Sequence, residues 1–264
     1  MRSVLSHLRI VLVEPAGPLN LGSVARIMRN MGLSQLILVN PQCDPQAEEA
    51  RRMAVHGRNI LANARIVDSL PKALAGCQRA VATTGRLHPQ DQPLEPPELA
   101  LPWLLPTVAE PMFQAALIFG PEDRGLSNEE LVYAQRWVRI PASDQYPSLN
   151  LAQAVAVCAY LIHRFSLAAP EAATFSTPAP PKAAADLAPL DQMDGFFQDL
   201  EVLLLQIGYL YPHTAASRMA KLRRLLHRAE PSSQELAMLR GILRQTNWAL
   251  KPNPETRPGN SFSP

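Results

Sequence analysis

A chain of 264 residues, 47% of them apolar, is long enough for one full domain with a core and a smaller second unit, and 25 Lys/Arg against 23 Asp/Glu leave a net charge of only +2. Near-neutrality argues against a protein that coats nucleic acid without preference, so any such contact must come from a local patch. Cys43, Cys77 and Cys158 are scattered and lack metal-ligand spacing with any histidine, which argues against a disulfide framework or a metal site and for a reducing cytoplasm.

Taken in chain order, the first apolar run, Leu8 to Glu14, reads as a strand rather than a signal peptide, because charge interrupts it and Pro15 ends it. No apolar stretch reaches transmembrane length, so no membrane contact is expected. The strand feeds the turn Glu14-Pro15-Ala16-Gly17-Pro18 and then a helix. With Asn20 as N-cap, Leu21, Val24, Ile27, Met28 and Met31 share one face of that helix, and Arg26 points away from it beside Ser23 and Asn30. The turn is neither a Walker loop, since no Lys-Ser/Thr pair follows the second glycine, nor a dinucleotide fingerprint, since Gly17 to Gly22 has the wrong spacing. A nicotinamide-dependent dehydrogenase is therefore a distant reading.

Further β-branched runs follow at Gln35 to Asn40, Arg65 to Asp68, Arg79 to Thr84, Ala115 to Phe119 and Trp137 to Ile140. Helical patterns between several of them predict an α/β fold, a mostly parallel sheet with helices on both faces. The strand ending Thr83-Thr84-Gly85-Arg86 runs into a proline-rich loop through Pro97. The strand ending at Phe119 runs into Gly120-Pro121-Glu122-Asp123-Arg124-Gly125-Leu126, where the two glycines permit close approach of a ligand, and then into a capping box, Ser127 to Glu130. The strand ending at Ile140 runs through Pro147-Ser148-Leu149-Asn150 into a helix from Leu149 to His163. That helix is apolar nearly all round, which requires burial in the fold or in a subunit interface, and Cys158 lies in it as a small hydrophobe. Three ligand-friendly turns thus follow three strands, where open α/β sheets hold their ligands.

From 168 to 189 the composition shifts to Ala, Pro, Thr and Ser without periodicity, a linker. Three helical patterns follow, 190–210, 215–227 and 232–249, the last opening on the capping box Ser232-Ser233-Gln234-Glu235. Around the second, His213 to Arg228 holds Arg218, Lys221, Arg223, Arg224 and Arg228 and no acid. Such a run reads either as a solvated face or as a contact to a phosphate backbone. The stretch 251–264, rich in Pro, Asn and Ser, is expected to be a disordered tail.

In this order the motifs Asn20-x-Gly22-x-x-x-Arg26, Phe119 to Leu126 and Ser148-Leu149-Asn150-Leu151 resemble those of the SPOUT-class RNA ribose 2′-O-methyltransferases. The C-terminal Lys221-Leu222-Arg223-Arg224-Leu225 and Leu239-Arg240-Gly241-Ile242-Leu243 are similar to the tRNA-modifying, TrmJ-type subgroup. The resemblance implies a catalytic domain over 1–167 closed by a deep C-terminal trefoil knot, a helical extension over 190–250 for dimerisation and tRNA binding, and a homodimer with no other protein partner. It implies S-adenosylmethionine as methyl donor, held by Thr83, Thr84, Gly85, Gly120, Pro121, Glu122, Gly125, Ile140, Pro147, Ser148 and Leu149, with no metal. Arg26, Asn20, Ser148 and Asn150 become the catalytic residues, and Arg86, Arg218, Lys221, Arg223, Arg224 and Arg228 the tRNA contacts. The implied product is a 2′-O-methyl group on the pyrimidine at tRNA nucleotide 32. Another tRNA position, a ribosomal RNA, or RNA binding with a vestigial donor pocket are the alternatives. Some relatives carry an arginine directly after the glycine of the second motif, where this chain has Pro121.

Overall fold

The structure is a computed structural model that describes residues 4–85, 93–106, 113–143, 145–168 and 187–251. They fall into two compact units, Met1–Gln192 and Met193–Pro264.

Strands β1 (Leu8–Val13), β2 (Gln35–Val39), β3 (Arg65–Val67), β4 (Arg79–Thr83), β5 (Leu94–Glu95), β6 (Ala115–Phe119) and β7 (Arg136–Val138) form one sheet, every pair parallel, in the order β3-β2-β1-β6-β4-β7-β5. The central strands are apolar without alternation because both faces are covered. On one face Ile10, Leu12, Val81, Leu117 and Phe119 join a single core; on the other Val11, Val13, Ala80, Ala82 and Ile118 join a second. Successive residues of a strand point to opposite faces, so a helix layer on each side satisfies both.

Helices α1 (Pro18–Asn30), α2 (Glu48–Ala54), α3 (Arg58–Ala62), α4 (Leu70–Leu74), α5 (Pro97–Ala100), α6 (Asn128–Leu131) and α7 (Leu151–Ala168) complete the first unit. Pro18 opens α1, since its fixed φ suits the first helical turn and its missing N–H is an orphan there anyway. The N-cap is therefore Gly17 and not Asn20, whose side chain is left free for other partners. Close approach of α1 to α2 requires Gly22: a Cβ there would lie 2.3 Å from the Ala50 carbonyl oxygen.

Helix α7 begins at Leu151 rather than Leu149, with Asn150 capping it: the Ala152 N–H donates to Asn150 Oδ1 at 2.9 Å. Val155, Cys158, Ala159 and Ile162 are buried along one side, whereas Val157, Tyr160 and Leu167 are exposed on the single chain. The apolar circumference thus divides into a core face and an outward face. Burial pushes the Cys158 thiol up to about 12 and the Cys77 thiol up to about 11, consistent with inert, packed side chains.

Residues 187–192 go with the first unit, since Leu187 and Leu190 join its two cores and the Leu190 N–H donates to the Cys77 carbonyl. Strand β5, inside the proline-rich stretch, has no counterpart in the sequence reading; two residues are too few to show a period. Helix α8 (Leu190–Gln206), with α9 (Ala215–Ala229) and α10 (Ser233–Ala249), follows the three helical patterns closely. The Ser232–Glu235 capping box forms as expected. The second unit packs on Phe197, which meets the Phe196 ring edge-on at 5.5 Å and the His227 ring at 6.0 Å.

Candidate active site

In this sheet β6, β4 and β7 are neighbours and run the same way, so the loops that follow them emerge side by side. Together they form one cleft of about 120 Å³. Thr83, Thr84 and Gly85 line it after β4; Gly120, Pro121, Glu122 and Gly125 after β6; Ile140, Pro147, Ser148 and Leu149 after β7. Every donor-site residue expected from the sequence therefore meets in one place. Phe119, Val138, Leu151 and Ala154 supply an apolar lining that the sequence reading missed. Their signal was available: Phe119 and Val138 end the strands that feed the loops, and Leu151 and Ala154 sit one turn apart at the start of α7.

The loop 120–126 is fixed by its own backbone. A Cβ on Gly120 would lie 2.3 Å from the Leu126 nitrogen, and Gly125 has a left-handed φ of 66°. Both glycines thus serve the loop's closure first, and only through it the approach of a ligand. Arg124 ties the loop down, donating to Glu14 at 2.7 Å and to both oxygens of Glu130 at 2.9 and 3.0 Å. Hydrogen bonds to Glu130 and then Glu14 raise its pKa still further, so its charge is permanent. Arg124 is therefore committed to the scaffold and does not line the cleft, and Pro121 is buried. Among the described residues this loop presents no cation to the cleft.

Strand β1 lies beside β6, which brings the turn after β1 against the loop after β6. Glu122 uses that contact: its carboxylate accepts from Ala16 N at 3.1 Å, Gly17 N at 3.1 Å and Asn20 Nδ2 at 2.8 Å. Partial burial works to raise the Glu122 pKa, but the Asn20, Ala16 and Gly17 hydrogen bonds outweigh it and hold the carboxyl below the ordinary range. Asn20 Oδ1 in turn accepts from Asn150 Nδ2 at 2.9 Å. One chain of hydrogen bonds thus runs from the second motif through the first to the third, ending at the cap of α7.

Arg26 stands apart. It is exposed, does not line the cleft, and makes no ion pair among the described residues. Six residues along a helix turn it about 120° from Asn20, so α1 directs the two side chains to different surfaces. Ser148 lies at the rim, exposed.

The expected RNA contacts separate. Arg86 lies outside the described residues. In the second unit Lys221 and Arg228 are exposed, and Arg218 donates to the Tyr209 carbonyl at 2.9 Å. Arg224 is half-buried. Arg223 departs from the expectation: it pairs with Asp194 at 2.7 Å, with both side chains less than 15% exposed, and lies 4.6 Å from the centre of the Phe197 ring. Its charge is paired within the helical unit, which leaves it less to offer a phosphate than the exposed Lys221 and Arg228.

The SpoU rRNA methylase family model matches residues 7–160, which contain the cleft and all three motifs. The chain belongs to the SpoU rRNA methylase family. The C-terminal domain of tRNA methyltransferase TrmJ matches 191–255, the helical unit. This family member is 43% identical over 242 residues to a tRNA (cytidine/uridine-2′-O-)-methyltransferase TrmJ of Klebsiella pneumoniae, covering 91% of this chain and 96% of the relative. It is 42% identical over 241 residues to the TrmJ of Cronobacter sakazakii, with the same coverage. The crystal structure of TrmJ from Z. mobilis ZM4 superposes with a TM-score of 0.75 at 30% identity, covering 90% of this chain and 98% of that one.

Proposed function

We propose that this methylase transfers a methyl group from S-adenosylmethionine to the ribose 2′-hydroxyl of the pyrimidine at nucleotide 32 of tRNA, working as a homodimer in the cytoplasm. The observation that carries the reading is the convergence of the three motifs on one cleft, locked by the Glu122–Asn20–Asn150 hydrogen bonds. Relatives that are tRNA 2′-O-methyltransferases by name, matched over nearly their full length, support the substrate class.

The cleft suits such a donor. Its walls are loop residues and apolar side chains, and Glu122 is the one charged side chain among the described residues lining it. An anionic lining disfavours a nucleoside phosphate and favours a cation such as a sulfonium. When bound, the donor supplies a methyl carbon already activated by that sulfonium. The protein's share is to place the hydroxyl in line and to stabilise the charge left as its proton departs.

For that second task the reading assigns Arg26. A guanidinium stays charged in a protein, so it grips the adjoining phosphate and steadies the developing alkoxide and does not abstract the proton. Because Arg26 faces away from the cleft of its own chain, the partner's cleft is the one it serves. The outward face of α7, with Val157 and Tyr160 exposed, offers apolar surface for that pairing. Asn20 and Asn150 hold the first motif to the third, and Ser148 orients the nucleotide at the rim. The knot belongs to the same proposal, making the 140–149 segment one wall of the donor pocket.

Locating the modified nucleotide tests this. Purified protein, donor and unmodified tRNA should yield a digest with a 2′-O-methylated pyrimidine at position 32 by mass spectrometry. A methyl group on a base, or at another ribose, would redirect the assignment.

A further inference from the structure

Between α8 and α9 the chain turns through residues 207–214. Gly208 takes a left-handed φ of 74°, and the N–H groups of Tyr209 and Leu210 both donate to the Leu204 carbonyl at 3.0 Å. Leu210 is 2% exposed and anchors the turn, while its neighbours Tyr209 and Tyr211 are 58% and 55% exposed. Both rings are braced from one side. The Arg218 guanidinium donates to the Tyr209 carbonyl at 2.9 Å and lies 5.9 Å from the centre of its ring. The His213 ring stacks on Tyr211 at 5.9 Å with an interplanar angle of 22°.

Exposed aromatic rings held in place by a turn form a surface that can be used without further ordering cost. Their surroundings select the partner. Residues 207–229 contain Arg218, Lys221, Arg223, Arg224 and Arg228 and no acidic residue. A second copy of this chain docking here by two-fold symmetry would bring the same cations together. A polyanion with flat, unstacked bases fits both features, since aromatic faces stack any base and cations hold the flanking phosphates.

We propose that the Tyr211–His213 pair, with Tyr209 and Arg218 beside it, stacks an unpaired nucleobase of the RNA substrate, while Lys221 and Arg228, seven residues apart and so on one face of α9, hold phosphates further along the strand. This rests on the RNA-methyltransferase reading and adds to it a base-stacking contact in the helical unit.

The test is tRNA binding by the full-length protein, followed by anisotropy across a range of salt concentrations. Y211A should weaken binding on the order of tenfold at every salt concentration, leaving the slope of log affinity against log salt unchanged. K221A/R228A should instead flatten that slope by about one to two. Y211W should restore affinity, and donor binding and far-UV circular dichroism should match wild type in all variants. Affinity of Y211A within twofold of wild type would overturn the proposal, as would a change in its oligomeric state, which would make the turn a subunit contact. If wild type methylates tRNA while Y211A binds normally, the stacking proposal alone fails; if wild type neither binds nor methylates tRNA, the functional reading fails first.

Discussion

The side-chain amide of Asn150 donates to the side-chain oxygen of Asn20 across 2.9 Å, joining residues 130 positions apart in the chain. Asn20 passes the link on to Glu122 at 2.8 Å. An asparagine suits the middle position because its side chain offers a donor and an acceptor at once. Asn20→Ala breaks both bonds and leaves α7 capped by Asn150. Turnover should fall about 10- to 100-fold through lost positioning, with a smaller change in donor affinity measured by calorimetry. Loss of donor binding to the same degree as turnover would place Asn20 in the donor pocket instead.

Arg26 and Asn20 sit on different surfaces of one helix, which leads to a mixed-dimer prediction. Arg26→Ala and a Gly85→Trp variant that blocks the cleft should each be inactive alone. Gly85 lines the cleft, and a Cβ there would meet no described atom within 4 Å, which leaves room for the larger side chain. Co-assembled, they should regain activity, because the intact cleft of one chain meets the intact Arg26 of the other. Silent mixed dimers would mean that each chain carries a complete site.

Acid should loosen the link among the three motifs. Partial burial raises the Glu122 pKa, but hydrogen bonds from Asn20, Ala16 and Gly17 lower it more; for Glu130 burial is likewise outweighed by Arg124. A folded-state pKa below the unfolded value contributes stability above the ordinary carboxylate pKa of about 4.3, and this is lost as pH falls through the lower folded value. The thermal midpoint should therefore decline below about pH 4.3. Glu122→Gln should be less stable at neutral pH and decline less steeply in acid, Glu130 retaining its share. Parallel profiles would show that Glu122 does not carry the acid dependence.

How much of this was legible in the sequence follows from what each signal encodes. The three loops could be read because glycine, proline and capping residues mark strand–turn–helix junctions locally, and the Ser127 and Ser232 boxes formed as written. Strand β5 could not, since its two residues are in the sheet only by pairing with β7. Asn20 reads as a cap because its preference for that place is real, but Pro18 opens the helix three residues earlier than that cap would. The Arg223–Asp194 pair is hidden from the sequence for a related reason. A basic run looks alike whether its members face water or a buried acid, and Asp194, 29 residues away, is found only by folding α8 against α9.

Arg223 and Lys221 should consequently respond in opposite ways. Arg223→Ala leaves the buried carboxylate of Asp194 without its cation, held among the described residues only by the Gln198 amide, and should destabilise the helical unit by on the order of 3 kcal/mol, read by denaturant unfolding. Adding Asp194→Ala should recover part of that loss. Lys221→Ala should leave stability within about 0.5 kcal/mol of wild type and weaken tRNA binding at low salt. A stable Arg223→Ala protein with weakened RNA binding would return Arg223 to the RNA surface.

The most direct test measures donor affinity and ribose methylation on the same Arg26→Ala preparation. The account predicts donor binding equal to wild type and 2′-O-methyl formation at nucleotide 32 reduced by at least about a hundredfold, with Arg26→Lys no better, since an ammonium lacks the two-pronged grip on phosphate. Undiminished methylation by Arg26→Ala would contradict it.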